Sequence, residues 1–207
     1  MTSRGATTNY VFGILAGGRG QRLGGVVKGS LRTPSGATIL QGLTDVVNRV
    51  RPGAPIVLVG SSSLDAPGLP RLADDPPGRG PLGGLVALLR SAAEAEAEAV
   101  ALASDLPQVS PELLERLLTE APEAPQYAPK LDGIWQPLFA RYSPSKVRPA
   151  VDAALVLPRA GLLSVFDRVD AREMLVDPAE ERALIDWDEP ADLPAELRRQ
   201  LPGFLDE

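Results

Sequence analysis

Residues 10–31 read YVFGILAGGRGQRLGGVVKGSL. The first six are a short apolar run closed by glycines, the pattern of a strand buried in a parallel sheet. Five glycines then precede Lys28, so the backbone can turn through conformations closed to other residues and approach a ligand closely. Consecutive free amides in such a turn make a concave anion site. Arg19, Arg22 and Lys28 surround it with positive charge suited to a polyphosphate. Two familiar phosphate loops are excluded: the dinucleotide pattern G-x-G-x-x-G needs glycine where Leu23 stands, and the Walker pattern fails because Val26 follows Gly25 and Ser30 follows Gly29. A surface turn with solvated charges is the plain structural alternative.

Working outward, Ile39, Leu40, Leu43, Val46, Val47 and Val50 fall at helical spacing, and Pro52-Gly53 stops that helix. IVLV at 56–59 predicts a second buried strand. A helix is expected from 81 to about 99, its repetitive SAAEAEAEA end taken as solvated helix because alanine and glutamate favour that state. VALA at 100–103 reads as a third strand, and Ser110-Pro111-Glu112 opens another helix with serine as cap and proline in the first turn. IWQPLFARY at 134–142 looks like a strand broken by Pro137. Ser143 is placed as the cap of a helix around 146–157, its first turns disturbed by Pro149. A last strand at 184–186 and a helix over 190–201 complete the reading. Strand and helix alternation predicts an α/β fold, a mostly parallel central sheet covered on both faces. Such sheets bind ligands beyond the carboxyl ends of their strands, where both the glycine loop and the acid after Ala103 fall.

The composition narrows the chemistry. The 207 residues suit a single domain, and 44% hydrophobic with 23% charged residues is ordinary for a globular chain. The net charge of −6 argues against a nucleic-acid partner. No apolar run approaches the roughly 20 residues needed to span a bilayer, and the amino-terminal apolar stretch reads as a strand and not a signal peptide. No membrane association and a cytoplasmic location are therefore expected, consistent with the absence of cysteine. With neither cysteine nor histidine, triads built on them, thiolate zinc sites and imidazole bases are excluded. Any reaction must run on carboxylates, Lys, Arg, hydroxyls and backbone amides, with or without a hard metal ion.

The segment LAGGRGQRLGGVVKGSL at 15–31 resembles the signature loop of the molybdenum cofactor guanylyltransferases, L-A-G-G-x-x-x-R-M-G-G-x-D-K-x-L. Leu15, Ala16, Gly17, Gly18, Arg22, Gly24, Gly25 and Lys28 match it, with Leu23 in the methionine place and Leu31 one position beyond the final leucine. Val27 stands where that family usually has aspartate. ADDPPGRGPLGGL at 73–85 resembles the family's acid followed by a G-P-L-x-G turn, and ALASDLPQV at 101–109 resembles its C-D-x-P motif with Ser104 for cysteine. WQPLFARY at 135–142 resembles the family's Q-P-L-F-A-x-Y strand. LIDWDEPADL at 184–193 resembles N-x-N-T-P-E-D-L, with Asp186 and Asp188 for the asparagines and Glu189 for threonine.

The resemblance spans about 10–193 and implies a Rossmann-like three-layer αβα sandwich of the nucleotide-diphospho-sugar transferase type. It implies one nucleotidyltransferase domain over 1–207, with a nucleotide-binding half at about 10–120 and an acceptor-binding half at about 121–207. Carried over residue by residue, nucleotide binding falls to Leu15, Ala16, Gly17, Gly18, Arg19, Lys28, Asp74 or its neighbour Asp75, Gly80 and Asp105. Asp74 is the first choice for reading guanine, since a carboxylate can accept from both the ring N–H and the exocyclic amine. Lys28, Arg22 and Asp105 are the catalytic candidates, Gln136, Pro137, Asp186 and Asp188 the acceptor candidates, and Asp105 with Asp188 the metal candidates. Each acid also has a structural reading: a turn or helix cap for Asp105 and the tail acids, a capped turn before Pro81 for Asp74.

The implied cofactor is Mg²⁺, which takes one or two carboxylates plus phosphate oxygens. The implied partners are GTP, molybdopterin as acceptor, and transiently the proteins of molybdenum insertion or molybdoenzyme maturation. Attack by a phosphate already ionised at neutral pH needs cations and dipoles more than a strong base. Two alternatives stand beside this reading: a cytidylyltransferase acting on a pterin or sugar-alcohol phosphate, and a nucleotide-binding adaptor without catalysis, suggested by Val27 and the altered tail.

Overall fold

The computed structural model describes residues 8–16, 28–33, 35–60, 64–185, 193, 198 and 199. Its strands are β1 (Tyr10–Leu15), β2 (Ile56–Val59), β3 (Arg71–Leu72), β4 (Glu98–Ala103), β5 (Gln126–Leu131), β6 (Ile134–Trp135), β7 (Phe139–Tyr142) and β8 (Arg172–Met174). The helices are α1 (Ile39–Val50), α2 (Pro81–Glu94), α3 (Pro111–Thr119), α4 (Pro144–Leu155), α5 (Leu163–Phe166) and α6 (Pro178–Ala183), with one 3-10 turn at Lys28–Ser30.

The sheet runs β3-β2-β1-β4-β7-β5-β6, with β8 on β5. Among the described strands, β1 pairs parallel with β2 and β4, β2 with β3, and β5 with β8. β7 lies antiparallel between β4 and β5, and β6 pairs antiparallel with β5. The expected α/β sandwich with a mostly parallel sheet is the observed one. The chain leaves β1 for β2 and β3 on one side and returns to β4 on the other. The switch point of the topology therefore lies between β1 and β4, the place where open α/β sheets bind ligands.

Alternation along β1 divides the core. Tyr10, Phe12 and Ile14 face a layer built by Ile39, Leu40, Leu43 and Val47 of α1 and Leu113, Leu114, Leu117 and Leu118 of α3. Val11 and Leu15 face the opposite layer, made by α2, α4 and α5. Gly13 belongs to that second face: a Cβ there would stand 2.6 Å from Leu88 Cδ2, so only glycine lets α2 pack this close to the strand. The caps follow the sequence. Thr38 and Gln41 form a reciprocal box at α1, and the Ser110 hydroxyl accepts from the Leu113 amide at α3.

Four expectations are corrected. The helix after Pro81 ends at Glu94, and 98–103 is strand, because Glu98 onward pairs with β1 from Tyr10. Backbone pairing overrides the helix propensity of the alanine-glutamate repeat. Residues 184–185 are not strand: Leu184 caps the carboxyl end of α6. α4 begins at Pro144 and accommodates Pro149 internally, at the loss of one backbone donor. β5 and β8 were not anticipated. The expected helix over 190–201 lies outside the described residues save Leu193, Arg198 and Arg199.

Candidate functional site

The carboxyl ends of β1 and β4 lie side by side, with Leu15 in register with Ala103. The Ser104 amide donates to the Leu15 carbonyl at 3.1 Å and the Ala16 amide to Val59 at 2.9 Å, so the chain leaves both strands along the same edge. Residues 17–27 lie outside the described residues, and with them Gly17, Gly18, Arg19, Arg22 and Val27. The chain is back at the 3-10 turn of Lys28–Ser30. Gly29 is buried there; a Cβ on it would meet Leu64 at 2.8 Å and the Ser104 carbonyl at 3.4 Å. That close fit seats the turn against the start of the loop after β4, while Leu31, 2% exposed, anchors it in the core.

The seating brings two sequence candidates together. Lys28 Nζ donates to Asp105 Oδ2 at 2.9 Å. The two side chains are only 18% and 16% exposed, so the attraction is screened less than that of a surface pair. Asp105 is not the cap of α3; Ser110 fills that role. Among the described residues Lys28 is the only hydrogen-bond partner of its carboxylate, which leaves hard oxygen lone pairs at the strand end. One carboxylate beside a neutralising ammonium fits a magnesium ion that completes its shell with phosphate oxygens and water. No cluster of three or more candidate metal ligands occurs among the described residues.

The two aspartates after β3 separate. A Cβ on Gly84, in the first turn of α2, would meet Val59 at 3.1 Å, Asp74 Oδ1 at 3.3 Å and Leu15 at 3.4 Å. The Asp74 carboxylate therefore stands at the ends of β1 and β2. Asp75 instead forms an ion pair with Arg90 on α2. Gly80 precedes α2 with φ 55°, a left-handed conformation that favours glycine. Sequence reasoning passed over Gly60, at φ 103°, where a Cβ would come within 3.3 Å of the Ala16 carbonyl and 3.8 Å of Asp74 Oδ1. Its signal was a glycine directly after four apolar strand residues.

Gln136 and Pro137 form the turn between β6 and β7. The Ala103 amide donates to the adjacent Leu138 carbonyl at 2.7 Å, which ties this turn to the end of β4 beside Asp105. The Pro137 carbonyl accepts from the buried Tyr142 hydroxyl at 2.7 Å, and burial drives that phenol's pKa up. Asp186 and Asp188 lie outside the described residues. One edge of the sheet thus gathers an ammonium–carboxylate pair, a second carboxylate and a polar turn, suited to a polyphosphate, a hydrogen-bonding base and an anionic acceptor.

A family model for the MobA-like NTP transferase domain matches residues 13–173. A molybdenum cofactor guanylyltransferase of Pseudomonas putida is 36% identical over 144 residues, covering 68% of this chain and 73% of its own. A probable molybdenum cofactor guanylyltransferase of Natronomonas pharaonis is 32% identical over 124 residues, covering 58% and 60%. Among solved structures, molybdopterin-guanine dinucleotide biosynthesis protein A from Archaeoglobus fulgidus superposes with a TM-score of 0.69 at 23% identity, covering 87% of this chain and 93% of that one. The 4-diphosphocytidyl-2C-methyl-D-erythritol synthase of Anaerococcus prevotii superposes at 0.65 with 11% identity, over 93% and 98%. These two likenesses speak to the fold alone.

Proposed function

The chain belongs to the MobA-like NTP transferase family, and from that membership we propose that it transfers guanylate from GTP to the phosphate of molybdopterin, forming the guanine dinucleotide cofactor. The relatives named as molybdenum cofactor guanylyltransferases support the reaction class and a nucleotide and a molybdopterin-type acceptor as its substrates. The observation that carries the reading is the Lys28–Asp105 pair, 2.9 Å apart where β1 and β4 end.

An oxygen of the acceptor phosphate attacks the α-phosphorus in line; the bond to the bridging oxygen breaks and pyrophosphate leaves. The nucleophile is already ionised, so no side chain need remove a proton. Lys28 offsets the negative charge that gathers on the β- and γ-phosphates as the bond breaks. Gly17 and Gly18 offer backbone amides, and Arg22 and Arg19 add charge. Asp74 accepts from the guanine ring N–H and exocyclic amine, while Asp75, paired with Arg90, braces the same turn. Gln136 and Pro137 serve the acceptor phosphate, and Asp186 and Asp188 are assigned to the acceptor by the motif they occupy in the sequence. Asp105, joined by Asp188, would hold Mg²⁺, which when bound supplies charge neutralisation between phosphate oxygens.

The work divides within one domain, nucleotide at about 10–120 and acceptor at about 121–207. The product is a cofactor for other enzymes, so transient contact with molybdenum-insertion or maturation proteins belongs to the same proposal.

Thermal stabilisation by Mg-GTP, against Mg-CTP and Mg-ATP, tests the base; pyrophosphate release with a phosphorylated pterin tests the reaction. Stabilisation by CTP above GTP would support the cytidylyl alternative instead.

A further inference from the structure

Between Asp74 and α2 the chain passes through Gly78-Arg79-Gly80, with both glycines at positive φ, 78° and 55°. Arg79 does not turn to solvent. Its Nη2 donates to the carbonyls of Leu157 at 2.7 Å, Leu155 at 3.1 Å and Ala154 at 3.3 Å, and Nη1 faces that of Pro158 at 3.4 Å. These oxygens belong to the carboxyl end of α4 and the turn after it. The last carbonyls of a helix lack intrahelical partners and carry partial negative charge. α4 ends at Leu155 with Val156, not glycine, as its cap residue; beside the Val156 and Leu157 amides that donate to the Ala154 carbonyl, the guanidinium from another part of the chain adds further donors.

The contact joins two regions that no strand pairing connects. On one side is the turn that carries Asp74, wedged so tightly that a Cβ on Gly83 would fall 2.5 Å from the Pro76 carbonyl and 3.2 Å from Asp74 Cβ. On the other is the helix that follows β7, whose entry turn holds Gln136 and Pro137. Arg79 Nε is buried with no acceptor among the described residues, so the α4 carbonyls held by Nη1 and Nη2 are what offsets the partial burial of this cation. Movement of either partner strands the other.

We infer that Arg79 is a positioning residue that fixes the Asp74 carboxylate for base recognition by docking its turn on the end of α4. The inference rests on the reading of Asp74 as the base-contacting acid. Arg79 touches neither base nor phosphate; it sets how much of Asp74's hydrogen bonding is realised.

The test compares full-length wild type, Arg79→Ala and Arg79→Lys for kcat and KM with GTP and CTP, alongside melting temperature. Arg79→Ala raises KM for the preferred nucleotide and erodes the preference by about tenfold, the equivalent of one charge-assisted hydrogen bond, while kcat at saturation stays within about twofold. Arg79→Lys, with one ammonium in place of a fork, is intermediate, and it carries the test alone if the alanine variant does not fold. A lowered melting temperature with the base preference intact overturns the inference, as does a wild type with no preference. A wild type that prefers CTP overturns the guanine reading alone, because Arg79 is judged on whichever preference the wild type has.

Discussion

Lys28 and Asp105, 77 residues apart in the chain, meet at 2.9 Å at the switch point of the sheet. On the proposed reading, the ammonium competes with a metal ion for the Asp105 carboxylate, and a nucleotide whose phosphates drew Lys28 away would favour joint binding of cation and nucleotide. Two effects follow for Lys28→Met. Turnover falls by about 10²–10³, the scale of losing one preorganised donor to developing negative charge. Mn²⁺ binding to the nucleotide-free protein, followed by electron paramagnetic resonance, tightens because Asp105 loses its competitor. Unchanged Mn²⁺ affinity would deny the competition.

Asp74 and Asp75 are adjacent, yet their surroundings differ. Asp74 Oδ1 lies over Gly84 at the ends of β1 and β2, whereas Asp75 pairs with Arg90. Asp74→Ala is expected to weaken GTP binding by about 10–100-fold, the value of hydrogen bonds to a charged acceptor. Asp75→Ala, which breaks a half-exposed ion pair, changes it by less than about fivefold. Isothermal titration of both variants with Mg-GTP decides between the two acids; the reverse order would reassign the base contact to Asp75.

Gly83 and Gly84 separate packing from recognition. At Gly83 a Cβ meets a backbone oxygen at 2.5 Å, which cannot yield without moving the turn; at Gly84 the nearest atoms are side chains at 3.1 Å or more. Gly83→Ala is expected to destabilise the protein by about 1–3 kcal/mol, the range for overpacking, and Gly84→Ala by less. Urea unfolding checks the order.

The strands that make the site were legible because burial on both faces leaves an unmistakable apolar run: YVFGIL and IVLV coincide with β1 and β2 residue for residue. Ser110 before Pro111 announced α3 by cap chemistry alone. The region from 94 to 98 misled because alanine and glutamate declare helix locally, while the pairing of Glu98 with Tyr10 is a contact 88 residues away that local pattern does not carry. QYAPKL at β5 hid for a related reason, with a proline and two polar residues in a strand defined by its neighbours β7 and β8. The pairing of Lys28 with Asp105 was approachable, since both follow parallel strands. The turn's docking on α4 was not, because nothing in Gly78-Arg79-Gly80 names its acceptors.

Glu98 sets a pH dependence apart from the site. Burial pushes its carboxyl pKa above the ordinary value; the Ser143 hydroxyl and the charges of Arg141 and Lys146 oppose this, and Glu123 adds to it. Its Oε2 is buried with no hydrogen-bond partner among the described residues. A raised folded pKa means the folded state holds the proton to higher pH than the unfolded chain. The stability it contributes is complete below the unfolded pKa and lost as pH rises through the folded one. Glu98→Gln should therefore raise the melting temperature at pH 7, where the wild-type chain holds part of this site in its unfavourable charged form. The difference should close in acid, where the wild-type carboxyl is protonated. A variant less stable at neutral pH, or a gap that persists in acid, would contradict this.

Binding of GTP to wild type and to Asp105→Asn, each titrated with and without Mg²⁺, tests the central claim most directly. The account predicts that Mg²⁺ tightens GTP binding to the wild type by about tenfold or more, as expected where a metal bridges protein and phosphate, and that Asp105→Asn loses this gain while keeping metal-free binding. A variant in which Mg²⁺ still strengthens GTP binding as much as in the wild type would contradict the assignment of Asp105, and with it the site built around the Lys28–Asp105 pair.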